Sequence, residues 1–174
     1  MERNCFKYNG FSIAPVTDFN VIAGANFSSG DEDIDDFFLN EAEESYKNGM
    51  SVTYEVRIDD LDIPLAYLSL HNDAVELKES DRLALGYKYK YTPAVKLGRL
   101  GVNKDYQSNG IGSAVLVLLK GFMRNANRTG CRFVSIDAYN KERIIAFYQR
   151  NGFNFVRPPK ENRDTVPMFL DIYS

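Results

Sequence analysis

An α/β fold on a mixed, partly parallel central sheet of about six or seven strands flanked by helices is the architecture this sequence predicts. Three observations lead there. Apolar residues recur with a period of two in several short runs, among them Val52, Tyr54, Val56 and Ile58. Two later runs carry the period of a helix, and strand-like runs lie on both sides of each. Helices and strands alternate most regularly in the second half, which implies right-handed crossovers there and antiparallel neighbours earlier.

The elements follow in order. Asn9-Gly10 marks a turn, and a short strand covers 11–16. Ser28 or Ser29 can cap the next helix, and Asp31, Glu32 and Asp33 suit its first turn. Ile34, Phe37, Phe38 and Ala42 form its apolar stripe, and Asn48-Gly49 stops it. Its remaining acids, Asp35, Asp36, Glu41, Glu43 and Glu44, read as a solvated face. A strand over 51–58, a turn at Asp59, Asp60 and Asp62, and a partner strand over 64–70 make a hairpin. Residues 72–92 read as irregular, with a short helix near 80–85 and a mixed run from Tyr87 to Tyr91.

A strand covers 93–102, and its alternation fails around Gly98 and Gly101. Glycine inside a strand predicts a bulge or a close backbone approach. An amphipathic helix over 110–126 carries Ile111, Val115, Leu118, Leu119 and Phe122 on one face. A strand over 133–136 leads to a helix over 141–150 with Ile144, Ile145 and Tyr148 inward, and Asn151-Gly152 ends it. Strands over 153–156 and 166–172 complete the chain.

Composition narrows the function. The 174 residues fit one domain over 1–174, and 44% hydrophobic content is too high for a disordered segment. A net charge of −3 and a pI near 5.3 give no general attraction to nucleic acid or to an anionic membrane. Two distant cysteines, Cys5 and Cys131, form neither a disulfide framework nor a CxxC motif. One histidine, His71, leaves no His/Cys cluster for a metal and makes a Ser–His–Asp site improbable. The first residues lack a secretory pattern, and no apolar run approaches the ~20 residues of a membrane span, so a cytoplasmic location is expected.

The sharpest feature is the run Val102-Asn103-Lys104-Asp105-Tyr106-Gln107-Ser108-Asn109-Gly110-Ile111-Gly112-Ser113. A strand ends, a short loop follows, and two glycines open a helix. The first N–H groups of a helix have no internal partner, and with the helix dipole they favour a phosphate. A P-loop would need GxxxxGK[ST], which is absent, and a dinucleotide fold would need GxGxxG in its first turn. The third pattern, Q/R-x-x-G-x-G/A, matches Gln107 to Gly112.

With the flanking segments LGRLGV at 97–102 and FYQRNGF at 147–153, this turn resembles the GNAT superfamily of acyl-CoA-dependent N-acetyltransferases. The resemblance runs from about residue 93 to 155. Phe27-Ser28-Ser29-Gly30, Ile34-Asp35-Asp36-Phe37-Phe38 and Met168-Phe169-Leu170 extend it toward the acetyltransferase toxins of toxin–antitoxin pairs, which acetylate aminoacyl-tRNA.

The resemblance implies a GNAT-like fold and acetyl-CoA as acyl donor, with no metal. It implies a bulged, splayed strand whose Leu100, Gly101 and Val102 pair with the pantetheine arm. The pyrophosphate would lie on the N–H groups of Gln107, Ser108, Asn109, Gly110, Ile111, Gly112 and Ser113. Tyr148 aligns with the family's acid, which protonates the departing thiolate. The family's cofactor-contacting asparagine falls at Lys141, and Asn140, one residue early, is the candidate in its place.

The amine must be neutral to attack, and Glu55, Glu76 and His71 are candidate bases. The amine itself is open among a small molecule, a peptide and an aminoacyl-tRNA. For tRNA, Lys78, Arg82, Lys88, Lys90, Lys96 and Arg99 are the available cations. An antitoxin protein and a second copy of the chain are the compatible partners, and a membrane is not. Two alternatives stand beside the enzyme: a non-catalytic acyl-CoA-binding module, and an interaction domain whose acidic helix meets a basic protein.

Overall fold

The computed structural model describes residues 5–59, 61, 63–127 and 129–174. The expected turn residues Asp60 and Asp62 lie outside the described residues. Among the described residues there are eight strands: β1 Phe6–Tyr8, β2 Phe11–Pro15, β3 Val52–Ile58, β4 Ala66–Glu76, β5 Tyr91–Val102, β6 Phe133–Tyr139, β7 Asn154–Phe155 and β8 Thr165–Asp171. The helices are α1 Asn20–Gly24, α2 Glu32–Asp36, α3 Ala42–Lys47, α4 Glu79–Ala84, α5 Ile111–Asn125 and α6 Glu142–Arg150. The strand order is β1-β2-β3-β4-β5-β6-β8-β7. Among the registers described, only β5 and β6 run parallel.

The strand count exceeds the expectation because β1 is only three residues long and mostly exposed, with no alternation to read. It is fixed by the Asn9-Gly10 turn, whose φ values of 49° and 77° are those a two-residue hairpin needs. β4 continues to Glu76, well past the expected end at residue 70, because its outer half is half-exposed and carries no alternation to read.

The residues gather into two units. The first comprises Met1–His71 and Leu97–Ala126. Its core includes Val16, Ile22, Phe27, Phe37, Phe38, Ala42 and Tyr67. Tyr67 packs edge-on to Phe27 at 4.8 Å and tilted against Phe38 at 5.7 Å. The acidic segment is not one uninterrupted α-helix: a π turn, Phe37–Glu41, joins α2 to α3. Its N-cap is Asp31, whose side chain accepts from the Ile34 N–H, and not Ser28 or Ser29. Those serines are taken by another partner, described below.

The second unit comprises Asn72–Lys96 and Asn127–Ser174. Val75, Leu77, Ala94 and Phe133 form its small core, with Phe169 edge-on to Phe133 at 4.9 Å. Val134 of β6 pairs with Val95 of β5 on one side and Leu170 of β8 on the other. No described helix is long and apolar enough to cross a membrane.

Candidate functional site

In the first unit, β5 delivers the chain to the glycine turn along a fixed line. The Asn103 N–H donates to the Leu65 carbonyl at 2.8 Å, and the Lys104 N–H donates to the Ser28 carbonyl at 2.8 Å. A 3-10 turn, Lys104–Tyr106, follows, and the side chain of Asn103 caps it by accepting from the Asp105 N–H at 3.1 Å. Ser108 and Gly110 then take left-handed φ of 66° and 77°. For serine that conformation costs roughly 1–2 kcal/mol, and strain of this kind concentrates at working sites.

Gly110 is the N-cap of α5 and offers no side chain to the first helical N–H groups. The bond from the Ala114 N–H to the Gly110 carbonyl, at 3.0 Å, opens the helical ladder. The N–H groups of Ile111, Gly112 and Ser113 come before it and have no partner within the helix. A left-handed residue entering a right-handed helix aims such groups into one concavity, which suits an anion. Ser108, Asn109 and Gly110 are exposed, and Ile111, Gly112 and Ser113 are half-buried.

Gln107 plays a different part from the one its motif position suggests. Its side-chain amide donates to the Ser29 carbonyl at 2.6 Å and to the Val102 carbonyl at 2.9 Å. Its own N–H is directed back at the Lys104 carbonyl. Gln107 therefore ties the turn to the protein, and its NH2 is not available to a ligand.

The tie leads to a residue that the sequence reading left on a solvated face. Asp35 Oδ2 accepts from the Ser28 hydroxyl at 2.7 Å. Its Oδ1 accepts from the Ser29 hydroxyl at 2.6 Å and the Ser29 N–H at 2.7 Å. Burial alone would raise the carboxyl pKa, but the hydrogen bonds from Ser29, Ser28 and Gly30 outweigh it and hold the group below the usual carboxylate value. The signal lay in Phe27-Ser28-Ser29-Gly30 and Ile34-Asp35-Asp36, which recur together in the resemblance but look like helix caps when read alone.

The two glycines of β5 answer close approach. A Cβ on Gly98 would lie 3.3 Å from His71 Cε1, and one on Gly101 would lie 2.9 Å from Ile34 Cγ2. Leu100 and Val102 are half-buried and Gly101 is buried. The guanidinium of Arg99 rests over the Phe37 ring at 4.0 Å.

In the second unit, Tyr148 lies on α6 with its ring edge-on to Phe147 at 5.1 Å and Phe153 at 5.2 Å. Desolvation pushes its hydroxyl pKa up to about 12. Asn140 precedes α6, and its side-chain NH2 donates to the carbonyls of Lys160 at 3.0 Å and Arg163 at 2.9 Å. The structure thus spends both amide protons of Asn140 on pinning a loop, leaving only its Oδ1 for a ligand.

Of the candidate bases, Glu55 pairs with Arg57 at 2.9 Å, and Glu76 faces Lys90 at 3.4 Å and Arg157 at 3.8 Å. His71 lies at the end of the first unit beside Gly98. Several candidate cations are also engaged. Lys96 pairs with Asp137, and Arg82 with Glu79 and the Lys88 carbonyl. Lys88 and Lys90 lie over the exposed rings of Tyr89 and Tyr91. Among the described residues no group of His, Cys, Asp and Glu could hold a metal ion.

Residues 75–155 match the acetyltransferase (GNAT) domain family. Solved structures with the same fold include a tyrosine-to-phenylalanine mutant of KacT, with a TM-score of 0.67 and 21% identity over 95% of this chain and 96% of that one. AtaT complexed with acetyl-methionyl-tRNAfMet matches with a TM-score of 0.68 and 19% identity, over 94% and 95% of the two chains. AtaTR bound with AcCoA matches with a TM-score of 0.65 and 20% identity, over 95% and 96%. The matched segment, 81 of the 174 residues, thus resembles the acetyltransferase (GNAT) domain, and the likeness to these solved structures over nearly the whole chain is one of fold.

Proposed function

We propose that the chain transfers the acetyl group of acetyl-CoA to a primary amine by direct attack while both are bound. The observation that carries this reading is the start of α5, where Gly110 leaves the first N–H groups without a side-chain cap. A diphosphate satisfies those groups and the helix dipole together. Leu100, Gly101 and Val102 supply the extended backbone for the pantetheine arm. Its partners there are the polar groups not already in use, since the Val102 carbonyl accepts from Gln107.

In the transfer, the amine nitrogen forms a bond to the thioester carbon, the C–S bond breaks, and the sulfur leaves as a thiolate. The amine gives up one proton and the sulfur gains one. Tyr148 is the assigned donor. Its pKa of about 12 exceeds that of a thiol, about 8.5, so full transfer from the phenol is uphill. Tyr148 therefore acts first as a neutral hydrogen-bond donor that stabilises the developing charge, and the proton finally gained by sulfur is balanced by the one the amine loses. Glu55, Glu76 and His71 are the candidate acceptors of the amine proton, with Glu55 set against Arg57 and Glu76 against Lys90.

Within this reading the amine is that of an aminoacyl-tRNA, and an antitoxin protein is the partner. Support comes from AtaT, solved with acetyl-methionyl-tRNAfMet and with the C-terminus of the antitoxin AtaR. Exposed Lys88, Tyr89 and Tyr91 supply charge and stacking faces of the kind nucleic acid uses. The test is thiol release from acetyl-CoA against a panel of amines and charged tRNAs, with Gly112→Glu as the variant that sets a carboxylate at the helix start. The expected result is release with charged tRNA and loss of CoA binding in Gly112→Glu. CoA binding without release from any acceptor would instead favour a non-catalytic module, and unchanged binding by Gly112→Glu would remove the site assignment.

A further inference from the structure

We infer that Asp35 is a positioning residue for the diphosphate turn, acting through Ser28, Ser29 and Gln107; the inference rests on the acetyl-CoA reading above. Asp35 does not serve its own helix as a cap, because Asp31 does that. Both carboxylate oxygens are instead committed to Ser28 and Ser29, through two hydroxyls and one backbone N–H at 2.6–2.7 Å. Hydrogen bonds to a charged acceptor are the stronger kind, so one side chain fixes two consecutive peptides. The carbonyls of those two peptides then hold the two ends of the turn. The Ser28 carbonyl takes the Lys104 N–H at 2.8 Å, and the Ser29 carbonyl takes the Gln107 amide at 2.6 Å.

The section that follows Gln107 contains two left-handed residues, one of them a serine. Such a conformation persists only when its surroundings over-determine it. If Asp35 loses its charge, the Ser28–Ser29 peptides relax and Gln107 loses a fixed acceptor. The N–H groups from Gly110 to Ser113 are then no longer aimed before the ligand arrives, so binding has to pay for ordering them. Only the diphosphate part of the ligand should feel this, because the pantetheine arm is assigned to the β5 backbone.

Two ligands separate these possibilities: CoA, and pantetheine, which lacks the diphosphate. The full chain is compared with Asp35→Asn, Gln107→Leu, their double variant, Ser29→Ala and Gly110→Val, using calorimetric or competition Kd values and the urea midpoint of each apo protein. Asp35→Asn is expected to weaken CoA about tenfold, the scale of one charge-assisted hydrogen bond, while pantetheine changes less than about twofold. The double variant should be no more than about twofold worse than the poorer single variant, because both act through one path. If Asp35→Asn unfolds, Ser29→Ala carries the same test with a smaller loss of about threefold. Equal losses for CoA and pantetheine would reduce Asp35 to a packing residue and overturn the inference. So would CoA binding lost in Gly110→Val but intact in Asp35→Asn. CoA binding untouched by Gly110→Val would instead refute the acetyl-CoA reading beneath it.

Discussion

Replacing Gly101 with alanine adds one methyl group at the most crowded point of β5. That carbon would sit 2.9 Å from Ile34 Cγ2, 3.2 Å from Phe27 Cζ and 3.3 Å from Phe38 Cε2. The nearest atom is bonded to the Ile34 Cβ and cannot swing away as the end of a long chain would. The other two belong to rigid rings in the buried cluster. Over-packing of this kind costs about 1–3 kcal/mol. Removing a glycine from a strand returns roughly 0.5–1 kcal/mol of chain entropy, so the net loss is about 1–2 kcal/mol. For a chain of this length that corresponds to a fall in Tm of about 2–8 °C. Gly24→Ala serves as the opposite control, since a Cβ there meets nothing within 4 Å and the residue lies in a helix. It should raise Tm by a few degrees. Ile34→Ala combined with Gly101→Ala should lose less than the sum of the two single changes, because the truncated side chain vacates the space the new methyl needs. Thermal and urea unfolding of the four proteins make the test. A Gly101→Ala melt within one degree of the parent, or strict additivity with Ile34→Ala, would refute the crowding argument.

Tyr148→Phe should lower kcat by about 10²–10⁴ with little change in the acetyl-CoA KM, and an unchanged kcat would remove Tyr148 from the chemistry. Its hydroxyl pKa is raised to about 12, so the proton is held as pH rises and the rate should show no alkaline loss from this group through pH 10. The hydroxyl of Tyr67 is buried with no hydrogen-bond partner, so Tyr67→Phe should raise Tm by about 2–4 °C by relieving ~1 kcal/mol of desolvation; a lower Tm would show that the hydroxyl is satisfied. The carboxyl of Asp35 has its pKa depressed by folding, so its contribution to stability is present above the unfolded value near 3.9 and fades as pH falls through the folded value. Urea midpoints from pH 7 down to pH 3 should therefore fall less steeply in Asp35→Asn than in the parent, and parallel slopes would rule this out.

Local periodicity made most elements readable. The stripe from Ile111 to Phe122 predicted α5, and Val115, Leu118 and Leu119 are indeed buried. The glycine turn was legible because its signal is steric, and Gly110 and Gly112 lie only two positions apart in the chain. What escaped was set by partners distant in sequence. Asp35 resembles any acid on a solvated helix until Ser28 and Ser29 fold back over it. Gln107 matches a ligand-binding motif, yet its amide finds Ser29, a residue 78 positions away. Asn140 has the right type for a cofactor contact, but the 160–164 loop claims both its amide protons. β4 outran its expected end because hydrogen bonding to a neighbour can continue a strand after its apolar alternation has faded.

The π turn at Phe37–Glu41 has a consequence for how this chain accommodates change in length. An α-helix rotates by about 100° per residue, so adjacent apolar side chains leave it in directions about 100° apart even when both are buried, as Leu118 and Leu119 are in α5. The wider turn lets Phe37 and Phe38 both enter the core, their rings 5.3 Å apart. The surplus residue acts as a spacer: with it, α2 and α3 take angular settings about 100° away from those of one continuous α-helix, so deleting a residue there would re-set one end against the other.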